Sequence, residues 1–304
     1  MKILNLGSVN IDNVYRVDEF LAPGETKLSA GLSLFCGGKG LNQSIAAAKA
    51  GNQVCHAGLI GEDGAMLLEK LRENQVDTSL ITQVPGRCGH AIIQVNDKGQ
   101  NCILLYGGTN RQLTTEIIDS IFEQFGSEGA VLLQNEVNLL PYIIRKANEK
   151  GLPVFLNAAP MDDTIYDCPL DMLDWLIVNE VEGRQLAGCE KDEDILPTLA
   201  EKYPRMSVLL TLGSRGAMCR TKGEVYRVNA CKVKAVDTTA AGDTFSGYFM
   251  YGVLNGYSIP ECLQMATVAS ALCVGRPGAA DSVPLKAEVD EAMANGTIPR
   301  PEVY

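Results

Sequence analysis

Histidine is nearly absent from this chain: His56 and His90 are the only two among 304 residues. That argues against a histidine-based metal cluster, and a lone histidine near a strand end more often packs than reacts. The ten cysteines are scattered with no C-x-x-C spacing, which fits free thiols in a reducing cytoplasm rather than a zinc or redox pair. No uninterrupted apolar run approaches a membrane span. The opening Met1-Lys2-Ile3-Leu4-Asn5 turns polar too early for a signal peptide and reads as a first buried strand. Basic runs are missing as well. With 26 Lys+Arg against 37 Asp+Glu the formal net charge is −11, and nothing tracks a nucleic-acid backbone. Such a protein can still hold an anionic nucleotide through backbone N–H groups, a few local cations and a metal ion. No G-x-G-x-x-G follows the first strand, and Gly37-Gly38-Lys39-Gly40 lacks the spacing and the Ser/Thr of a Walker A loop.

What is present is a globular composition, 46% hydrophobic and 21% charged, and a rhythm. From residue 114 onward, helical stretches (114–124, 139–150, 180–187, 192–202) alternate with strand-like ones (130–134, 153–157, 175–179, 206–211). That alternation implies a parallel, doubly wound sheet. Earlier stretches with weak period-2 alternation, rich in Thr, Ser and Gly (14–17, 26–36, 79–84, 89–95, 102–106), are expected to form a small separate sheet. Residues 1–304 thus read as one α/β domain, with a lid made by segments 11–36 and 87–108.

The chain is organised around Asp237-Thr-Thr-Ala-Ala-Gly-Asp243, preceded by strand-like Val228, Val233 and Val236 and followed by an apolar pattern of helical period. Small residues at 240 to 242 leave N–H groups bare at a helix N-terminus, which suits phosphate. Asp243 then has two readings: a helix N-cap, or a base that takes a proton from an attacking hydroxyl. Asn10 and Asp12 lie where the first strand emerges, either as a sugar-binding pair or as a turn. Gly37 and Gly38 lead into the alanine-rich helix 44–50, by a tight turn or by a close approach to ligand.

Six motifs occur in family order: Gly7-Ser-Val-Asn-Ile-Asp12, Pro23-Gly-Glu-Thr26, Gly37-Gly-Lys-Gly40 with Asn42-Gln43, Asn179-x-x-Glu182, Thr211-Leu-Gly-Ser214 with Gly216, and the Asp237–Asp243 loop. Together they resemble the ribokinase-like family of carbohydrate kinases over nearly the whole chain. The resemblance implies a mainly parallel, doubly wound α/β fold with a small β-sheet lid, and transfer of the ATP γ-phosphoryl group to a primary sugar hydroxyl. It makes Asp243 the base and the N–H groups of Ala240, Ala241 and Gly242 the anion hole. Asn10, Asp12, Gly38, Lys39, Asn42 and Glu136 would hold the sugar. Asn179, Thr211, Gly213, Ser214, Gly216, Gly242 and Thr267 would line the nucleotide. Asn179 and Glu182 would hold Mg²⁺, largely through water. A monovalent cation, K⁺, would lie among Asp237, Thr239, Cys273, Arg276, Gly278 and Ser282. A homodimer through the lid is also implied.

The first two motifs point to D-ribose as acceptor, giving ribose 5-phosphate. Leu41 and Leu32-Ser-Leu-Phe35 depart from the family pattern and keep another pentose, a ketohexose, a deoxy-sugar acid or a nucleoside open. A non-catalytic sugar or nucleotide sensor on the same fold is the alternative from a different class. The presence of Asp243, the glycines and Glu182 argues against it.

Overall fold

The first strand sits in the interior because both of its faces are buried. In the computed structural model, which describes residues 1–296 and 299–303, β1 (Lys2–Leu6) buries Ile3, Leu4 and Leu6 completely. After it come β2 (Asn10–Arg16), β3 (Gly31–Gly37), α1 (Lys39–Lys49), β4 (Gln53–Ile60), α2 (Ala65–Glu73), β5 (Asp77–Gln83), β6 (Gly89–Val95) and β7 (Asn101–Tyr106). The second half runs α3 (Thr115–Phe125), β8 (Ala130–Gln134), α4 (Leu140–Glu149), β9 (Val154–Asn157), β10 (Trp175–Asn179), α5 (Glu180–Ala187), α6 (Ile195–Lys202) and β11 (Ser207–Thr211). It ends with β12 (Ala217–Thr221), β13 (Glu224–Val228), α7 (Ala241–Leu254), α8 (Ile259–Val274), α9 (Lys286–Asn295) and β14 (Glu302–Val303).

The large sheet has the order β14-β13-β12-β11-β10-β9-β8-β1-β4-β5. Strands β5 through β11 in that order are parallel, and β12, β13 and β14 extend the edge antiparallel. One apolar core, with α3 to α6, packs on one face; a second, with α1, α2, α7, α8 and α9, packs on the other. This is the doubly wound, mainly parallel fold expected. Strand order reverses between β1 and β8, and ligand crevices form beyond the carboxyl ends of strands at such a point. Helices α1 and α7 approach closely there: a Cβ on Gly247 would lie 2.6 Å from Ala46 Cβ and 2.7 Å from Ala47 N.

The small sheet has the order β3-β2-β6-β7, with β2 and β6 parallel and the outer pairs antiparallel. Two expectations need correction. Residues 79–84 do not join it: β5 pairs with β4 at the edge of the large sheet, where Leu80 is buried in the core. The strand before the Asp237 loop ends at Val228, and Val233 and Val236 lie exposed in irregular chain. Strands β12 and β13, unread in the sequence, form a hairpin across Lys222 and Gly223, both with positive φ (49° and 84°), as a two-residue turn of right-handed twist requires.

Candidate active site

Asp243 does not cap its helix. Ala240 is the N-cap of α7, in a left-handed conformation (φ 58°) with no side-chain cap bond. The Asp243 carboxylate instead faces α1: Asn42 Nδ2 donates to Oδ2 at 3.2 Å and Gln43 Nε2 to Oδ1 at 2.9 Å. It is buried, while the neighbouring Gly242 faces open space, with nothing within 4 Å of where its Cβ would stand. An exposed helix N-terminus beside a buried carboxylate is the arrangement that serves an anion and a proton acceptor together. Of the three expected anion-hole groups, Ala241 N–H is engaged with Thr238 O at 3.3 Å.

The end of β8 and the start of α1 are tied through Glu136. Its Oε2 accepts from Lys39 N–H at 3.0 Å and from the Ser8 hydroxyl, whose Oγ accepts from Gly40 N–H at 3.1 Å. Gly38, at φ 92°, lies where a Cβ would crowd Asn10 N and Ser8 O, so only glycine enters α1 this way. A side chain at Gly37 would collide with the carboxylate of Asp12. Asn10 Oδ1 accepts from Asn110 Nδ2 at 2.7 Å, and Asn110 also clamps both the N–H and the C=O of Val9. The sequence reading assigned no role to Asn110 or Ser8; each acts through partners distant along the chain. Asn42 Oδ1 is buried and without a partner, as is Thr244 Oγ1 beside Asp243.

At the end of β10, Asn179 and Glu182 form a reciprocal capping box. Asn179 Oδ1 accepts from the Val181 and Glu182 N–H groups, and Glu182 Oε2 accepts from Asn179 N–H. Thr211 donates to Val178 O at 3.4 Å, and Gly213, Ser214 and Gly216 make the turn between β11 and β12. Thr267 is buried in α8 with its hydroxyl given to Leu263 O.

On the far side of α7, Asp237 Oδ1 accepts from the Thr239 N–H and hydroxyl, and Oδ2 from Gly278 N–H at 3.0 Å. Cys273 Sγ lies 3.0 Å from Ser282 Oγ and 3.8 Å from Thr239 O, while the Arg276 guanidinium turns away to Glu288. These residues therefore lie together, the loop before α7 being tied to the last turn of α8 and to the loop that follows it.

A family model described as "pfkB family carbohydrate kinase" matches residues 1–286. The chain belongs to that family. Carbohydrate kinases of this family are phosphotransferases with an alcohol group as acceptor, and this chain is one of them. It is 34% identical over 302 residues to the ribokinase of Staphylococcus aureus, covering 95% of this chain and 99% of the relative. The crystal structure of ribokinase from Thermotoga maritima superposes with a TM-score of 0.86 at 32% identity, covering 96% and 99% of the two chains. Arabidopsis thaliana ribokinase complexed with ribose and ATP superposes with a TM-score of 0.84 at 29% identity, covering 95% and 97%.

In this carbohydrate kinase the charges of the site are set against one another. Burial and the nearby Glu136 push the Asp12 carboxyl up to about 6. Burial pulls Lys39 down, but Asp243, Glu136 and Glu182 together outweigh it and hold the ammonium above its ordinary value. Because folding raises the Asp12 pKa, its contribution favours the fold fully below the unfolded value near 3.8 and is lost as pH rises through about 6. Asp12→Asn is therefore expected to stabilise the ligand-free protein by about 1 to 2 kcal/mol near pH 8, the gain vanishing toward about pH 4. Urea unfolding at the two pH values checks this. A gain of equal size at both would show that Asp12 carries no such penalty.

Proposed function

We propose that the chain transfers the γ-phosphoryl group of ATP to the primary 5-hydroxyl of D-ribose. The observation that carries the reading is the Asp243 carboxylate: buried, not capping its helix, beside the open N-terminus of α7, and sharing Asn42 with a buried oxygen that has no protein partner. Sugar hydroxyls supply donors to Asn42 Oδ1 and to the Asp12 carboxylate, with Asn10, Gly38, Lys39 and Glu136 around them. Asp243 takes the proton of the attacking hydroxyl. Oxygen then bonds to the γ-phosphorus as the bond to ADP breaks, and the N–H groups of Ala240 and Gly242 hold the transferred charge, Ala241 N–H being engaged with Thr238 O. The nucleotide lies along Asn179, Thr211, Gly213, Ser214 and Gly216. Thr267, its hydroxyl already given to the helix, would contribute packing alone. Similarity to ribokinases that bind ribose, ATP or ADP supports both ligands.

Glu182 suits Mg²⁺ held through water. One of its oxygens is occupied by Asn179 N–H, and burial raises its carboxyl despite that bond and the nearby Lys39, a cost that a cation would relieve. Bound there, the ion would neutralise phosphate charge. We further assign a cytoplasmic location, consistent with ten free cysteines and with no helix among the described residues long and apolar enough to cross a membrane.

ADP release measured across ribose, 2-deoxyribose, fructose and a nucleoside should show ribose as the best acceptor. Asp243→Asn should lower turnover by about two to four orders of magnitude with sugar affinity retained. Near-normal turnover would remove Asp243 as base, and a clear preference for another acceptor would remove ribose.

Asp237 fits the K⁺ reading. Burial would lift its carboxyl, but hydrogen bonds from Thr239 and Gly278 hold it below the usual range and so ionised. An ion on its loop and on the 273–282 carbonyls would stiffen the approach to the anion hole. Turnover in Tris at constant ionic strength should rise with KCl over NaCl or neither, and the effect should disappear in Asp237→Ala. Equal rates in all three media would reject it.

We also propose that the small sheet closes over the sugar as a lid and pairs with a second copy. Its two outer strands expose Leu34 (52%), Ile103 (56%), Leu104 (67%) and Tyr106 (58%), large apolar side chains that a second copy would cover. Light scattering at micromolar concentration should give twice the chain mass; a monomer would refute the dimer.

A further inference from the structure

Behind Asp243 runs a line of buried polar side chains for which phosphoryl transfer alone gives no task. Gln43 Nε2 donates to Asp243, and Gln43 Oε1 lies 2.7 Å from Gln134 Nε2. The same Gln134 nitrogen is 3.2 Å from Asn5 Oδ1. Asn5 Nδ2 reaches Gly40 O and Ser44 Oγ, each at 2.8 Å. Ser44 Oγ is 2.8 Å from His56 Nδ1, and His56 Nε2 is 3.2 Å from Gly7 O. Gln43, Gln134, Asn5, Ser44 and His56 are all fully buried, at 0% exposure. Polar groups in so dry a place are costly unless paired, and here they are paired with one another except for Gln134 Oε1, which is buried without a partner.

The line has only one consistent direction. Gly7 O can only accept, so His56 Nε2 carries the proton and Nδ1 accepts from Ser44. Having given its single proton, Ser44 must accept, which turns the Asn5 nitrogen toward it and the Asn5 oxygen toward Gln134. The Gln134 nitrogen then donates both its protons, one to Asn5 and one to Gln43. Gln43 is left with its oxygen facing Gln134 and its nitrogen facing Asp243. The orientation of that last amide is thus set from a backbone carbonyl of the sheet, independently of the carboxylate it meets. Burial pushes the His56 imidazole down to about 4, so the link stays neutral at working pH.

The geometry points to Gln43 as a positioning residue for Asp243, with Gln134 as the double donor that fixes which way its amide faces. This rests on Asp243 being the base of the proposed reaction. Asn42 also touches Asp243 but opens toward the sugar side. Gln43 has no exposed surface, so it reaches the chemistry only through the carboxylate. The hydrogen bond aims one oxygen of Asp243 and fixes the rotation of its carboxylate. Lys39, at the start of α1, is the charged group whose field Asp243 shares.

The test uses Gln43→Met and Gln134→Met, unbranched side chains of similar length without an amide, beside Asp243→Asn. Turnover and sugar KM are measured on protein shown to be folded by circular dichroism. Gln43→Met should lower kcat by about tenfold or more and leave sugar KM within about threefold. Gln134→Met should do the same to a smaller degree. Intact kcat in Gln43→Met, while Asp243→Asn is inactive, overturns the positioning role but leaves the base in place. Full turnover in Asp243→Asn overturns the base itself. A raised sugar KM with unchanged kcat would make Gln43 a sugar ligand. Failure of both methionine variants to fold would assign the glutamines to core stability. Either result rejects the inference.

Discussion

The close approach of α1 to α7 is the contact on which the rest of the site depends. It is possible because Gly247 presents no side chain to Ala46 and Ala47, and it sets the Asn42 and Gln43 amides against the Asp243 carboxylate across more than half the chain length. The two amides pair a carboxylate that would otherwise be buried without partners. Its placement and its burial therefore follow from one packing decision. The sheet supplies the reference frame, since β1, β4 and β8 carry the residues that anchor α1 from beneath.

A second consequence is that the site carries charges it does not satisfy internally. Asp12 has only burial and Glu136 acting on it, both unfavourable to its ionised form. Lys39 is held charged by three carboxylates at once. The Asn42 and Thr244 oxygens are buried and unpartnered. In a core these would be faults; here they gather near the switch point of the sheet, where ligands bind in folds of this kind. Folding free energy from two apolar cores, one on each face of the sheet, is what tolerates them.

The sequence made the parallel half of the fold readable because each of its elements is local. β8, β10 and α5 fall on the residues that periodicity picks out. Period 2 says that 79–84 is a strand but not which sheet it joins; that depends on pairing with β4 across the intervening α2, on which the pattern is silent. The β12–β13 hairpin carried a visible turn in Lys222-Gly223, and its short strands offered little else. For the site, glycine spacing and motif order were informative. Asn5, Gln134, Asn110 and Ser8 were not, because a polar residue in a strand or a turn announces nothing until its partner is known.

Asp243 shows most clearly why local rules give out at such a place. After glycine and at the head of an apolar helix, an aspartate reads as an N-cap, and the helix dipole favours a carboxylate in its first turn. The structure keeps that dipole benefit yet assigns the N-cap to Ala240, in a left-handed conformation that alanine adopts only at a cost. Two ties on the neighbouring loops hold this strained turn: Asp237 bonded to Thr239 and Gly278, and Ser270 donating to Ala241 O. With the cap moved to a residue that has no polar side chain, the first N–H groups of α7 meet no competing carboxylate of their own helix. Ala241 N–H is taken by Thr238 O, and Gly242, with open space before it, is left as the exposed group of that turn.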